Sequence, residues 1–257
     1  MERIESVNNK IIKLTNSLKI KKFRVKEGLF IAEGERLVLD SMKFQKPEYL
    51  IVSENFYNKD FDVKTYVVSE EIFKKLCETV TPQGIIGVFK TSFKDISQIT
   101  FENTIVLNRL QDPGNLGTIL RTAKATGFKN IILDNETVDV YNPKTVRSSM
   151  SAVFNINLYQ SKNLKEDIIK LKEKGFHTVG TILNEKSKNL YSEEFNYPVA
   201  FVIGNEGAGI DEEIQKECDK CILIPMEEGI ESLNASVACS VVMYEMFRRE
   251  KYEKWRQ

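Results

Sequence analysis

From Thr104 onward the chain repeatedly changes its period. Short apolar runs with strand character (TIVLN, NIILD, NINLY, HTVGTIL, AFVIG and CILIP) alternate with segments whose apolar residues fall at helical spacing. A strand, a helix and then another strand form a crossover, which makes neighbouring strands parallel and places helices on the sheet faces. The expected fold class is therefore α/β, with a mostly parallel C-terminal sheet carrying helices on both faces. In such sheets ligands sit beyond the carboxyl ends of the strands, where loops enter helices.

The first half alternates less regularly. A basic helical start leads through FIAEGERLVLDSM, PEYLIVSE and KTYVVSEEIFKKLC to GIIGVFK. The polar stretch TSFKDISQITFEN separates it from the strand TIVLN and is too short and mixed for a free linker. Two domains are expected: a small α/β domain at 1–95 and a larger α/β domain at 103–257. At 257 residues and 42% apolar content, the chain buries a core without staples. No apolar run spans a bilayer, and MERIESVNNK holds no apolar signal segment, so the reading is cytoplasmic.

The four cysteines are scattered. Cys218 and Cys221 form a CxxC without a second pair or a nearby histidine, so buried structural thiols are expected and no metal site. The single histidine, His177, lies in a strand and reads as a packed or edge residue. Chemistry in this chain must then draw on a cofactor, a carboxylate, an arginine or the substrate itself.

Basic and acidic residues balance at 37 each, so no whole-chain basic footprint exists. The first 26 residues are different: Arg3, Lys10, Lys13, Lys19, Lys21, Lys22, Arg24 and Lys26 stand against Glu2 and Glu5 alone. Such a segment neutralises phosphates or forms a solvated helix face, and charge alone leaves both readings open.

Three constellations carry possible chemistry. In QDPGNLGTILRTAKATGF, Pro113, Gly114 and Gly117 form a tight turn into a helix from Asn115, the expected N-cap, to about Thr126, with Gly127 ending it. Leu116, Ile119, Leu120 and Ala123 define its packed face, and Arg121 points away from it, either as a surface residue or as a grip for phosphate. The loop GNEGAG lacks the dinucleotide spacing and the Gly-Lys-Ser/Thr of a P-loop. Its carboxylate, Glu206, repels phosphates, so exposed amides around it suit an uncharged or cationic ligand. In the third, IPM precedes SLNAS, where Ser232, Asn234 and Ser236 open a last helix that is apolar on nearly all sides. That helix is either a core helix or a homodimer contact.

Together these segments resemble the three signature motifs of the SpoU (TrmH) family of RNA 2′-O-ribose methyltransferases, in order. They are Asn115, Gly117 and Arg121; Gly204, Glu206, Gly207 and Gly209; and Ile224 to Met226 with Ser232, Leu233, Asn234 and Ser236. NPKTVRSSMSAVF between them is also similar, with Ser151 where glycine is common and Asn155 where arginine is common. Asn108 stands where the family often has Asp. The first half resembles the family's ribosomal-protein-like RNA-binding domain, through NNKIIKLTNSLKIKKFRVKEGLFIAEGERLV and TVTPQGIIGVF.

The resemblance implies a C-terminal trefoil knot, a homodimer through the C-terminal domain, S-adenosylmethionine as cofactor and RNA as partner. It implies a cofactor site at Thr181, Gly204, Asn205, Gly209, Ile224, Pro225, Met226, Leu233, Asn234 and Ser236. Asn115, Arg121, Glu206, Ser232 and Asn234 are the implied catalytic residues. Lys21, Lys22, Arg24, Lys26 and Arg36, with Arg121, are the implied RNA contacts; Glu33 and Gly34 lie among them. The family's arginine serves the other subunit's cofactor site. Large-subunit rRNA is the expected substrate. A tRNA substrate, a base as methyl acceptor, and a non-catalytic RNA-binding protein of the same fold are the alternatives.

Overall fold

A computed structural model describes residues 2–56, 61–230 and 232–252. The chain forms two compact units, Met1–Ser92 with Asp139–Asn155, and Phe93–Val138 with Ile156–Gln257.

The first unit runs β1 (Glu2–Ile4), α1 (Lys10–Ser17), α2 (Lys21–Glu27), β2 (Leu29–Glu33), α3 (Glu35–Ser41), β3 (Tyr49–Ser53), β4 (Thr65–Val68), α4 (Glu70–Leu76) and β5 (Ile85–Lys90). Asn9 and Ser69 start α1 and α4 by accepting hydrogen bonds from Ile11 N and Ile72 N. Gly28, at φ 64°, ends α2 in the left-handed conformation that glycine tolerates. The sheet order is β1-β4-β3-β5-β2. β1, β4 and β3 are parallel, whereas β5 is antiparallel to both β3 and β2. Ile12, Leu18, Ile51, Tyr66 and Phe73 belong to the core beneath this sheet.

The second unit continues with β6 (Thr104–Leu107), α5 (Pro113–Thr126) and β7 (Asn130–Leu133). Next comes α6 (Pro143–Ser149), which packs in the first unit. Then follow β8 (Asn157–Gln160), α7 (Leu164–Glu173), β9 (His177–Thr181), β10 (Lys188–Asn189), β11 (Val199–Ile203), α8 (Glu212–Glu217), β12 (Lys220–Leu223) and α9 (Ala235–Tyr252). The sheet order is β10-β12-β9-β11-β6-β7-β8, and every pairing is parallel. β6, β7 and β11 are buried along their whole length, so helices cover both faces. On one face Val106, Ile132 and Val202 pack with Ile168 and Leu171 of α7 and Ile214 of α8. The other two helices of this unit, α5 and α9, pack on each other, with the Thr122 and Ser240 hydroxyls 3.2 Å apart.

Residues 139–155 depart from the expected linear division at 95–103. Tyr141 and Phe154 lie 4.5 and 5.3 Å from the Phe30 ring, and Phe154 lies 4.7 Å from Phe89. Tyr141 also donates to Ser92 O at 2.8 Å, and Arg147 pairs with Glu78 at 3.1 Å. These partners lie far away in sequence, so local pattern gave no sign of them.

Arg24 corrects an expected RNA contact. It is 3% exposed and pairs with Asp139 through Nε at 2.8 Å and Nη2 at 2.6 Å, while Nη1 donates to Leu18 O and Lys19 O. All three guanidinium nitrogens are used inside the unit. Glu33, another of that group, is also buried; it accepts from Glu78 N, Thr79 N and the Thr79 hydroxyl. Lys21, Lys22 and Lys26 are exposed, as is Arg36.

Of the cysteines, only Cys239 is fully buried, whereas Cys77, Cys218 and Cys221 are half-buried. Burial pushes all four thiols up, Cys77 and Cys218 to about 12, which disfavours reactive thiolates. His177 is half-buried, with Nδ1 accepting from Asn196 N at 3.1 Å and its pKa lowered chiefly by burial. Among the described residues no helix is long and apolar enough to cross a membrane.

Candidate active site

Three parallel strands end together at a cavity of about 240 Å³: β9 at Thr181, β11 at Ile203 and β12 at Leu223. The loop after β11 supplies Gly204, Asn205, Glu206 and Gly209 to its wall. The segment between β12 and α9 supplies Ile224, Met226, Ser232 and Leu233. Most of the expected cofactor positions therefore share one wall. Pro225, Asn234 and Ser236 stand outside the lining, whereas Ile182, Leu183, Ala235 and Ala238 belong to it without having been anticipated. No spacing rule singles out those small and apolar positions.

The loop is shaped by its own backbone and by Asn205. Asn205 and Gly209 exchange both backbone hydrogen bonds, at 2.9 and 3.0 Å. The Asn205 Oδ1 accepts from Gly207 N and Ala208 N, and its Nδ2 donates to Arg109 O at 2.9 Å. A Cβ on Gly204 would lie 2.2 Å from Gly209 C, so only glycine allows the two limbs of the loop to close.

Glu206 is exposed yet held in hydrogen bonds. It accepts from Gln111 N and Asp112 N, each at 3.2 Å, and from Asn115 Nδ2 at 3.0 Å. Burial pushes its carboxyl up, but the Asn115 side chain and the backbone amides outweigh burial and hold it below the usual carboxylate range. Asn115 Oδ1 then accepts from Asn234 Nδ2 at 3.0 Å. Asn234 Oδ1 accepts from Ser236 N, Ser236 Oγ and Val237 N, capping α9. Glu206, Asn115 and Asn234 thus join the three motif segments by side-chain hydrogen bonds.

One expectation is corrected here. Asp112, not Asn115, is the N-cap of α5: its Oδ1 accepts from Asn115 N at 2.8 Å, with Pro113 at the first helical position. An Asp followed by Pro was the available signal. Because Asp112 caps the helix, the Asn115 side chain is left to bridge Glu206 and Asn234. Arg121 projects from α5 as an exposed side chain and forms no ion pair among the described residues.

The residues present fit S-adenosylmethionine. Ile203, Leu223, Ile224 and Leu233 offer apolar surface for a purine ring, and Gly204, which has no side chain, brings its backbone to the cavity wall. A single carboxylate at the loop suits a ligand carrying positive charge and disfavours a polyphosphate.

A parallel sheet with a small-molecule pocket at its strand ends, closed by a glycine-rich loop and a capped terminal helix, defines the class of protein. The SpoU rRNA Methylase family matches residues 102–244, and the MRM3-like substrate binding domain matches residues 9–87. The chain belongs to the SpoU rRNA methylase family. It is 34% identical over 253 residues to the Bacillus subtilis 23S rRNA (guanosine(2553)-2'-O)-methyltransferase RlmP, covering 96% of this chain and 99% of that protein. It resembles the AdoMet-bound rRNA methyltransferase from Sinorhizobium meliloti at TM-score 0.87 and 30% identity, covering 97% and 98% of the two chains. A putative TrmH-family RNA methyltransferase of Porphyromonas gingivalis is similar at TM-score 0.82 and 30% identity, over 92% and 96%.

Proposed function

We propose that this protein transfers a methyl group from S-adenosylmethionine to a ribose 2′-hydroxyl of large-subunit rRNA. The hydrogen-bonded chain from Glu206 through Asn115 to Asn234 carries this reading, because it locks the cofactor loop, the arginine-bearing helix and the cap of α9 into one site. The full-length similarity to a 23S rRNA 2′-O-methyltransferase supports the substrate class.

When bound, S-adenosylmethionine supplies the electrophilic methyl group. The Gly204–Gly209 loop with Ile224, Met226 and Leu233 would hold it and set its orientation. Glu206 is a weak base, because three donors engage its carboxylate and hold its pKa below the ordinary value. Arg121 is always protonated and therefore grips the RNA phosphate beside the target ribose. That contact stabilises the charge developing on the 2′-oxygen, and the phosphate takes the proton. Ser232 lines the pocket wall and is exposed, which supports a role in orienting the ribose.

A trefoil knot in the C-terminal chain and a homodimer belong to the same proposal. Val237 and Tyr244, on α9, are 48% and 54% exposed, apolar surface for a second copy to cover. Arg121 of one subunit then serves the other's cofactor. Lys21, Lys22, Lys26 and Arg36 contact RNA from the first unit.

The test combines calorimetry with S-adenosylmethionine and mapping of alkali-resistant nucleotides in rRNA and tRNA from cells with and without the gene. Cofactor binding together with a lost 2′-O-methyl site in 23S rRNA is the expected result. A lost site in tRNA redirects the substrate, and absence of cofactor binding overturns the enzyme reading.

A further inference from the structure

Arg109 combines three features that a stabilising residue would not combine. Its backbone is left-handed, at φ 59°, a conformation that suits glycine and strains an arginine. Its Nε is buried without a hydrogen-bond partner among the described residues. Its Nη2 pairs with Asp211 Oδ1 at 2.5 Å, and Asp211, at the N-cap of α8, makes no capping hydrogen bond of its own. Asparagine and aspartate at that position ordinarily accept from the first helical amides. Here the Asp211 carboxylate is directed instead to Arg109 and to Asn108 Nδ2 at 3.0 Å.

These arrangements converge on the cofactor loop. Asp211 follows its distal end, while Asn205, at its proximal end, donates to Arg109 O at 2.9 Å. The Arg109 amide is fixed by Asp134 Oδ2 at 2.9 Å, a carboxylate that also holds Asn108. Position 109 therefore ties both ends of Gly204–Ile210 to the carboxyl end of β6, the distal end through the Arg109 guanidinium and the proximal end through its backbone oxygen, two and three residues before the amides that hold Glu206. Backbone strain and an orphaned donor are retained where they hold a site in place.

We infer that Arg109 is a positioning residue of the cofactor pocket, its guanidinium acting through Asp211 to hold the distal end of the loop that binds S-adenosylmethionine. The inference rests on that cofactor assignment. Its signature is a division between stability and affinity. Arg109→Gly relieves the strain and removes the orphaned Nε, so the melting temperature stays within about 2 °C of wild type or rises. The same variant weakens S-adenosylmethionine binding about tenfold, measured by calorimetry on the full chain, because the distal end of the loop loses its tie to Asp211 while the backbone tie to Asn205 remains.

Steady-state kinetics give a second readout: KM for S-adenosylmethionine rises about tenfold while kcat at saturating cofactor stays within about threefold. Asp211→Asn weakens binding to a similar extent, and the double variant is no worse than Arg109→Gly alone, because both act through one contact. Arg109→Lys restores affinity to within about threefold. Unchanged affinity in both Arg109→Gly and Asp211→Asn overturns the inference. So does an affinity loss that tracks a falling melting temperature, which is what a merely structural residue gives. If the wild-type protein itself fails to bind S-adenosylmethionine, the proposed function falls first, and the two failures are thereby distinguished.

Discussion

Asn115 Nδ2 and Glu206 Oε1 meet at 3.0 Å, although the residues lie 91 positions apart in the chain. The contact sets the helix that carries Arg121 against the loop that walls the pocket. Glu206→Gln replaces one acceptor oxygen with a donor that faces donors. The expected outcome is a fall of about 10- to 100-fold in kcat/KM, measured with radiolabelled methyl donor and rRNA fragments.

The same contact has a pH dependence with a definite sign. Glu206 is held below its ordinary value of 4.5 in the folded protein. A group lowered in this way contributes stability in full above that ordinary value, and the contribution is lost as pH falls through the lower folded value. Cofactor affinity in wild type should be flat from pH 7 to 5 and weaken below the ordinary carboxylate range. The Glu206→Gln variant should lack that weakening, and calorimetric titrations at stepped pH check the difference.

Arg121 is exposed on α5, with no ion pair among the described residues. Arg121→Ala should abolish methyl transfer, at least about a hundredfold in kcat, while S-adenosylmethionine affinity stays within a few-fold. Arg121→Lys keeps charge without the planar fork and should recover only part of the rate. Single-turnover methylation beside calorimetry separates the two effects, and unaltered turnover in Arg121→Ala removes the residue from the mechanism.

Removing Arg24 leaves Asp139, whose side chain is 13% exposed, without its partner. Arg24→Met should cost about 3 kcal/mol of stability, because a nearly buried charge is left uncompensated. The Arg24→Met, Asp139→Leu double variant should recover part of that loss. Urea denaturation of the single and double variants decides it; equal stability of Arg24→Met and wild type would show that the pair contributes nothing.

Lys21 and Lys22 are exposed on α2. Replacing both with alanine should weaken RNA binding across sequences alike and flatten the slope of log K against log salt by about 2. Filter binding at several salt concentrations measures the slope. An unchanged slope would place the RNA elsewhere.

Much of the second unit was legible because each strand is short, apolar and bounded by a helix with its own start and stop signals. Gly127, at φ 83°, ends α5 as the sequence indicated. The pocket could be read as the meeting of two strand ends because parallel sheets bind at that edge, and Ile203 and Leu223 are the last residues of their strands. Other features depend on contacts that no local pattern encodes. The cap at Asp112 was displaced by three residues, since Asn115 is equally good capping chemistry and only the tertiary partner Glu206 distinguishes them. Arg24 looked like one more cation in a basic segment, and its burial depends on Asp139, 115 residues later. Arg109 gave no sign at all, because its left-handed backbone breaks the rule by which sequence reading reserves that conformation for glycine.

The placement of Asp139–Asn155 in the first unit has a consequence for how the molecule can be dismantled. The polypeptide passes from one body to the other at Ser92, returns at Asp139 and leaves again after Asn155. No single scission yields both bodies whole. A fragment cut near residue 100 would carry Tyr141 and Phe154 without Phe30 and Phe89, the rings they stack on. The separable modules of this enzyme are therefore interlaced pieces of chain, and exchange of one module between relatives would require two grafts rather than one.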